Sequence, residues 1–221
     1  MNVLVIGASR GIGLEFVHQF RASGAKVTAT ARDAAGLERL RELGATALTL
    51  DVTDAASAAG LGPQIEGGKF DLAIVNAGAG GPRSGGFEAP SEDDFDHVMH
   101  TNVLGPMRVI PQIAEALAPG GTVAVLSSVM GSMGSRTAAG MSLYRASKAA
   151  VNSVLKDASL LLDSKAVCVA LHPGWVRTDM GGSGADIDAA TSVAGMKKVL
   201  AGLQPKDNGA FVDYQGNAIP W

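Results

Sequence analysis

The stretch Asn2-Val3-Leu4-Val5-Ile6-Gly7-Ala8-Ser9-Arg10-Gly11-Ile12-Gly13-Leu14 joins an apolar run to a glycine-rich turn and then to a helical pattern. A strand ending at Gly7 and a helix opening near Gly11 aim backbone N–H groups and the positive end of a helix dipole at one point, which makes an anion site of the kind that receives a pyrophosphate. Glycines at 7, 11 and 13 permit a tight turn, close approach of phosphate, and close packing of helix on strand, tasks a β-carbon obstructs. The spacing is GxxxGxG, not the GxGxxG of the dinucleotide fingerprint. A bare glycine pattern is as often a structural turn; its place at a strand-to-helix junction is what gives it weight.

Outward from this turn the alternation repeats. Short apolar runs bounded by Gly, Asp or Asn recur at 2–6, 26–30, 46–50, 72–75, 122–126 and 166–171. They are continuously apolar, as strands of a parallel sheet covered on both faces must be. Leu14, Val17, Phe20 and Ala22, then Leu37, Leu40 and Leu43, fall at helical spacing. The expectation is an α/β, doubly wound parallel sheet in a single domain over 1–221. Two longer helices are expected at 94–117, kinked by Pro106 and Pro111, and at 142–162. In the second, Ala146, Ala149, Ala150, Val154, Leu155, Ala158, Leu161 and Leu162 cover so wide an arc that it either packs against a partner subunit, giving a homodimer or tetramer, or is wholly buried within one. Residues 181–194 read as a mobile, lid-like excursion, and 210–221 as a final strand with a turn at Gln215-Gly216-Asn217.

The chain has 221 residues, 47% hydrophobic and 18% charged, which supplies one core without an apolar run of about 18 residues that would span a membrane. Eighteen Lys and Arg against 21 Asp and Glu give a net charge of −3, far from the basic balance of a nucleic-acid binder. The lone Cys168 excludes an intramolecular disulfide framework and a cysteine-rich zinc module, and reads as buried filler. His18, His97, His100 and His172 share no ligand spacing, so no metal is expected. Residues 1–6 show neither basic leader nor cleavage site, and the expected location is cytoplasmic.

Tyr144 and Lys148, four residues apart in Tyr144-Arg145-Ala146-Ser147-Lys148, share one helix face. An ammonium about 4 Å from a phenol at an effective dielectric of 20 stabilises the phenolate by up to about 4 kcal/mol, enough to bring the phenol toward the operating range of a general acid or base. The cofactor's identity is read from the end of the second strand, Thr30-Ala31-Arg32-Asp33. Arg32 with Arg10 offers a fork of donors to a 2′-phosphate and favours NADP(H). Asp33 is the alternative: a one-residue shift would make it the ribose partner of NAD, and otherwise it caps a helix.

Taken together, these residues resemble the short-chain dehydrogenases/reductases, a Rossmann-like family, over nearly the whole chain. Gly7 to Gly13 resembles its TGxxxGxG turn, Asp51-Val52 its adenine-contacting pair, Asn76-Ala77-Gly78 its NAG segment, Tyr144 to Lys148 its YxxxK, and Pro173-Gly174 its PG element. The stretches 172–182 and 208–221 resemble more narrowly the C-factor and sniffer-like carbonyl reductase branch. The resemblance implies a cofactor site of Gly7, Ser9, Arg10, Gly11, Ile12, Gly13, Arg32, Asp51, Val52, Asn76, Ala77, Gly78, Tyr144 and Lys148. It adds Thr178 at the nicotinamide carboxamide, and Pro173, Gly174, Trp175 and Val176 as the wall beneath that ring. It implies that Tyr144 protonates a small-molecule carbonyl substrate, that Lys148 lowers the Tyr144 pKa and binds the nicotinamide ribose, that Ser128 polarises the carbonyl while Ser127 is structural, and that Asn102 holds a relay water.

Two departures stand out. Ile6 replaces the usual Thr, removing a hydroxyl that would tie the turn, and sixteen residues separate Ser128 from Tyr144, implying an enlarged loop. Met130, Met133, Met141 and Met180 flank the expected site as an adaptable pocket or as ordinary core. The expected function is NADPH-dependent reduction of an aldehyde or ketone. The alternatives are a dinucleotide-binding signalling protein with incidental activity and an NAD-dependent alcohol dehydrogenase.

Overall fold

The computed structural model describes residues 1–83, 86 and 88–221. Seven strands, β1 (Asn2–Ile6), β2 (Lys26–Ala31), β3 (Thr46–Thr49), β4 (Phe70–Val75), β5 (Leu117–Leu126), β6 (Val167–His172) and β7 (Ala210–Asp213), pair in parallel in the order β3-β2-β1-β4-β5-β6-β7. The expected doubly wound sheet is present. Helices α1 (Gly11–Ala22), α2 (Ala34–Glu42) and α8 (Ala189–Gly202) cover one face; α4 (Leu61–Ile65), α6 (Gly105–Ala116) and α7 (Ser142–Leu161) cover the other, with α3 (Ala55–Ala59) and α5 (Glu92–Met99) beside them.

The unbroken apolar strands follow from this layering. In β1, Val3 and Val5 join Phe16, Val17 and Phe20 of α1, whereas Leu4 and Ile6 join Leu61, Val109 and Ile113 on the opposite face. These four apolar side chains are fully buried, each worth about 1.5–3 kcal/mol relative to exposure, so neither face tolerates a polar residue. Two strands begin earlier than expected: β4 at Phe70, and β5 at Leu117 with a bulge, because Phe70 pairs with Leu117 but Leu72 with Thr122.

The helix expected at 94–117 is three pieces. It starts at α5 and widens into a π-turn at His100–Leu104 before α6 resumes. Pro106 has no N–H for the Asn102 carbonyl, so the α pattern cannot pass through that point. The break therefore lies before Pro106, while Pro111 sits inside α6. The second long helix is α7, and it is not wholly buried: Leu143, Ser147, Lys148, Val151, Leu155 and Ala158 face inward, while Leu160 is 66% and Leu161 80% exposed. The turn-rich excursion ends by Asp188, whose carboxylate accepts from the Thr191 amide and caps α8. None of the described helices is long and apolar enough to cross a membrane.

Candidate active site

The order of strands reverses direction at β1, which lies between β2 and β4. In open α/β sheets the crevice at such a switch point, beyond the carboxyl ends of the strands, receives ligands. Six of the segments singled out from the sequence leave a strand at that edge: Gly7 after β1, Arg32 after β2, Asp51 shortly after β3, Asn76 after β4, Ser128 after β5 and Pro173 after β6.

The glycine turn is built as its spacing demands. Gly7 (φ +82°) lies so close to the Asn76-Ala77 segment that a β-carbon would sit 2.7 Å from Ala77 Cα. Asn76 Nδ2 donates to the Gly7 carbonyl at 2.6 Å. Ile6 offers no hydroxyl, but Thr30 does: its buried Oγ1 accepts from Gly7 N at 2.9 Å, and its carbonyl accepts from Ala8 N at 2.8 Å. The turn is thus tied from β2, a substitution across 23 residues that the local motif does not show.

Helices α2, α3, α5 and α8 are capped by side chains of Asp33, Asp54, Ser91 and Asp188, whereas no side chain caps α1. Its first N–H groups have no partner within their own helix, so the turn suits the phosphates of a dinucleotide.

At the rim, Arg10 is ion-paired with Asp179 at 3.0 Å and Arg32 lies 3.9 Å from Asp51; both arginines are exposed. Burial pushes the Asp51 carboxyl up, but bonds from the Thr53 hydroxyl and amide, with the Arg32 guanidinium, outweigh it and leave the pKa lowered. Asp33 accepts from Gly36 N at 2.7 Å as the N-cap of α2. Val52 is buried against Gly105, with its carbonyl taken by Arg108. Thr178 approaches the turn closely enough that a β-carbon on Gly11 would lie 3.4 Å from its methyl group. Pro173 is held by Ser192 Oγ at 2.6 Å, and Gly174 adopts φ +82° against Ile187 and Tyr214. Trp175 Nε1 donates to Gly181 O, and Val176 bridges to Ile187, so the stretch after Pro173 forms a braced strand-like excursion.

The polar centre lies between α7, the π-turn and the end of β5. Lys148 is buried, donates to Leu126 O at 2.9 Å, and holds its Nζ 5.8 Å from the Tyr144 ring centre. Asn102 Oδ1 accepts from Ala79 N, and its Nδ2 donates to Ala79 O and Ser147 Oγ, so the side chain braces the post-β4 loop against α7. Ser128 Oγ accepts from Met130 N at 3.1 Å. Ser127 Oγ donates to Asn152 Oδ1 at 2.5 Å.

The electrostatics correct one expectation. Burial raises the Tyr144 pKa above its ordinary 10.0, and the nearby Ser128 hydroxyl opposes it without reversing it. The 5.8 Å offset from the ring and the engagement of Nζ with Leu126 O leave desolvation dominant. Burial also lowers Lys148 from 10.5 to about 8. Between about pH 8 and pH 10.5 the unfolded chain then binds more protons than the folded one, so this group's contribution to stability rises with pH. Relative to Lys148→Met, wild-type stability is expected to gain up to roughly 3 kcal/mol across that window. Urea unfolding at a series of pH values checks this, and a pH-independent difference between the two chains would refute it.

Cys168 is fully buried, and burial pushes its thiol up to about 11, consistent with inert packing. Met133 and Met180 are 73% and 45% exposed, so these two are not core. Sequence reasoning missed Thr30, Ser147, Asn152 and Arg39, whose Nε donates to Ser9 O at 3.0 Å. Their partners are too distant along the chain for local spacing to reveal them.

The comparisons with known proteins agree with this geometry. The C-signal of Myxococcus xanthus is 42% identical over 160 residues, covering 70% of this chain and 94% of that one. A short-chain dehydrogenase/reductase from Burkholderia multivorans, crystallised with bound NADP, superposes with a TM-score of 0.90 at 32% identity, covering 100% of this chain and 99% of its own. A Pseudomonas aeruginosa PAO1 carbonyl reductase in complex with NADP gives a TM-score of 0.86 at 34% identity, again covering 100% and 99%. The short chain dehydrogenase family matches residues 1–187. With that match and these relatives, the chain belongs to the short-chain dehydrogenase/reductase family, among neighbours that include carbonyl reductases.

Proposed function

We propose that this protein reduces aldehydes or ketones with NADPH, with Tyr144 as the general acid. The observation that carries the reading is the convergence of Tyr144, Lys148, Ser128 and Asn102 on the same sheet edge as an uncapped glycine turn. When bound, NADPH supplies the hydride. Burial keeps Tyr144 protonated at neutral pH, which is the state a donor to a carbonyl oxygen requires. The Met130 amide holds the Ser128 oxygen, leaving its O–H to orient the substrate carbonyl. Lys148, whose Nζ lies 5.8 Å from the Tyr144 ring centre, would hold the nicotinamide ribose, and Asn102 keeps α7 in register with the loop after β4. The exposed Leu160 and Leu161 support the expectation of a homodimer or larger assembly.

Arg32 and Arg10 stand at the rim as donors for a 2′-phosphate, and Asp33 is occupied as a helix cap, which supports NADPH over NADH. Arg32→Ala is expected to weaken NADPH binding about tenfold to hundredfold, as loss of a charge-assisted bond implies, while leaving NADH binding unchanged. Fluorescence titration of both nucleotides measures this; equal losses for the two would remove the 2′-phosphate assignment. The overall reading is tested by oxidation of NADPH and NADH against aromatic and aliphatic carbonyls. Nucleotide binding with no turnover of any carbonyl would instead favour a signalling role, the reading suggested by likeness to the protein named C-signal.

A further inference from the structure

We propose that Trp221 and Ser132 form a clasp that positions Ser128 against the Tyr144–Lys148 face of α7, a role that rests on the reductase reading above. The loop between Ser128 and Tyr144 is the enlarged one, and its first turn carries the catalytic hydroxyl. That turn is the short 3-10 helix Val129–Gly131, which begins where Ser128 Oγ accepts from Met130 N and Ser128 O accepts from Gly131 N. Gly131 lies so tightly on α7 that a β-carbon would be 2.7 Å from the Lys148 carbonyl carbon. Any shift of the turn therefore moves Ser128 relative to Lys148.

What keeps the turn in place comes from far along the chain. Ser132 is fully buried, and its hydroxyl donates to Pro220 O, lies 3.3 Å from Trp221 O, and accepts from Ser135 N. Met133 N and Gly134 N both donate to Trp221 O, at 2.8 and 3.3 Å. The Trp221 ring stacks on Phe211 with centroids 5.3 Å apart, and Phe211 is a buried member of the core on β7. Ile219 N donating to Phe211 O completes the tie. A loop long enough to wander is thus bonded to a tail that is itself anchored in the sheet. Neither Trp221 nor Ser132 touches the reacting groups; both act through Ser128.

Trp221→Ala removes the stacked ring, and Trp221→Phe retains an aromatic face on Phe211. For Trp221→Ala the expected result is a fall in kcat of about tenfold, below the roughly hundredfold that an ångström-scale misplacement can cause. NADPH affinity is unchanged within about twofold, and Trp221→Phe restores most of the rate. In a Ser128→Ala background Trp221→Ala has no further effect, because residues acting as a unit are non-additive. Independently of turnover, amide exchange at 129–134 accelerates in Trp221→Ala while exchange in β1 does not. Wild-type turnover in Trp221→Ala, losses that multiply with those of Ser128→Ala, or unchanged exchange at 129–134 would each overturn the clasp. Should Trp221→Ala not fold, Ser132→Ala carries the same expectations. A wild-type chain that binds NADPH but reduces nothing removes the reductase reading alone, and the exchange measurement still decides whether the clasp holds the turn.

Discussion

Tyr144→Phe is expected to lower kcat for carbonyl reduction by about three orders of magnitude, the midpoint of what a positioned general acid contributes, while leaving NADPH binding intact. The substitution removes one oxygen and keeps the ring that packs on α7, so folding should be unaffected. Its size follows from how poorly the neighbouring donors among the described residues could replace the phenol: the Lys148 ammonium is turned to Leu126 O, the Asn102 amide is spent on Ala79 and Ser147, and the Ser128 hydroxyl, which orients the carbonyl, is a far weaker acid than a phenol. Because burial raises the phenol's pKa, the rate of reduction should not fall through neutrality for lack of the Tyr144 proton. Stopped-flow turnover with parallel nucleotide titration checks both statements. Retention of more than about a tenth of the wild-type rate would leave Tyr144 outside the chemistry.

Gly13→Ala is expected to remove nucleotide binding and to destabilise the fold by about 3 kcal/mol or more, the upper range for overpacking a close contact. A β-carbon at this position would lie 2.3 Å from Gly7 O and 2.6 Å from Asn76 Nδ2, and 2.9 Å from Ala8 Cα. Two of those neighbours are backbone, so the strain cannot be relieved by a rotamer change. The Asn76–Gly7 bond that joins β4 to the turn must break or the helix must move off the strand. For a chain of this size the loss corresponds to a fall in Tm of about 6–12 °C, readable by calorimetry. An unchanged Tm with normal NADPH binding would show that the turn relaxes in a way the packing does not suggest.

Much of this site was legible before any coordinates. The parallel sheet followed from strands apolar on both faces, and the phosphate turn from three glycines at a strand-to-helix junction, since both patterns record local steric demands. The Tyr144–Lys148 pair followed from helical spacing, although not its electrostatics. The expected lowering of the phenol's pKa treated two charges in a uniform medium, whereas burial and the Leu126 carbonyl reverse the balance. Pro106 announced a break in the helix at 94–117, but the widened turn before it, which places Asn102, depends on packing of Gly105 against Val52.

Local sequence alone determined the layered sheet, the glycine turn at residues 7–13 and the four-residue phasing of the tyrosine and lysine, because each is set by neighbours a few residues away. Tertiary structure alone decided that Thr30 ties the turn in place of a hydroxyl at position 6 and that Trp221 reaches back to Ser132. Those contacts join buried groups whose partners are chosen by which hydrogen bonds remain unsatisfied once the chain has closed on itself, and no periodicity along the chain encodes that choice.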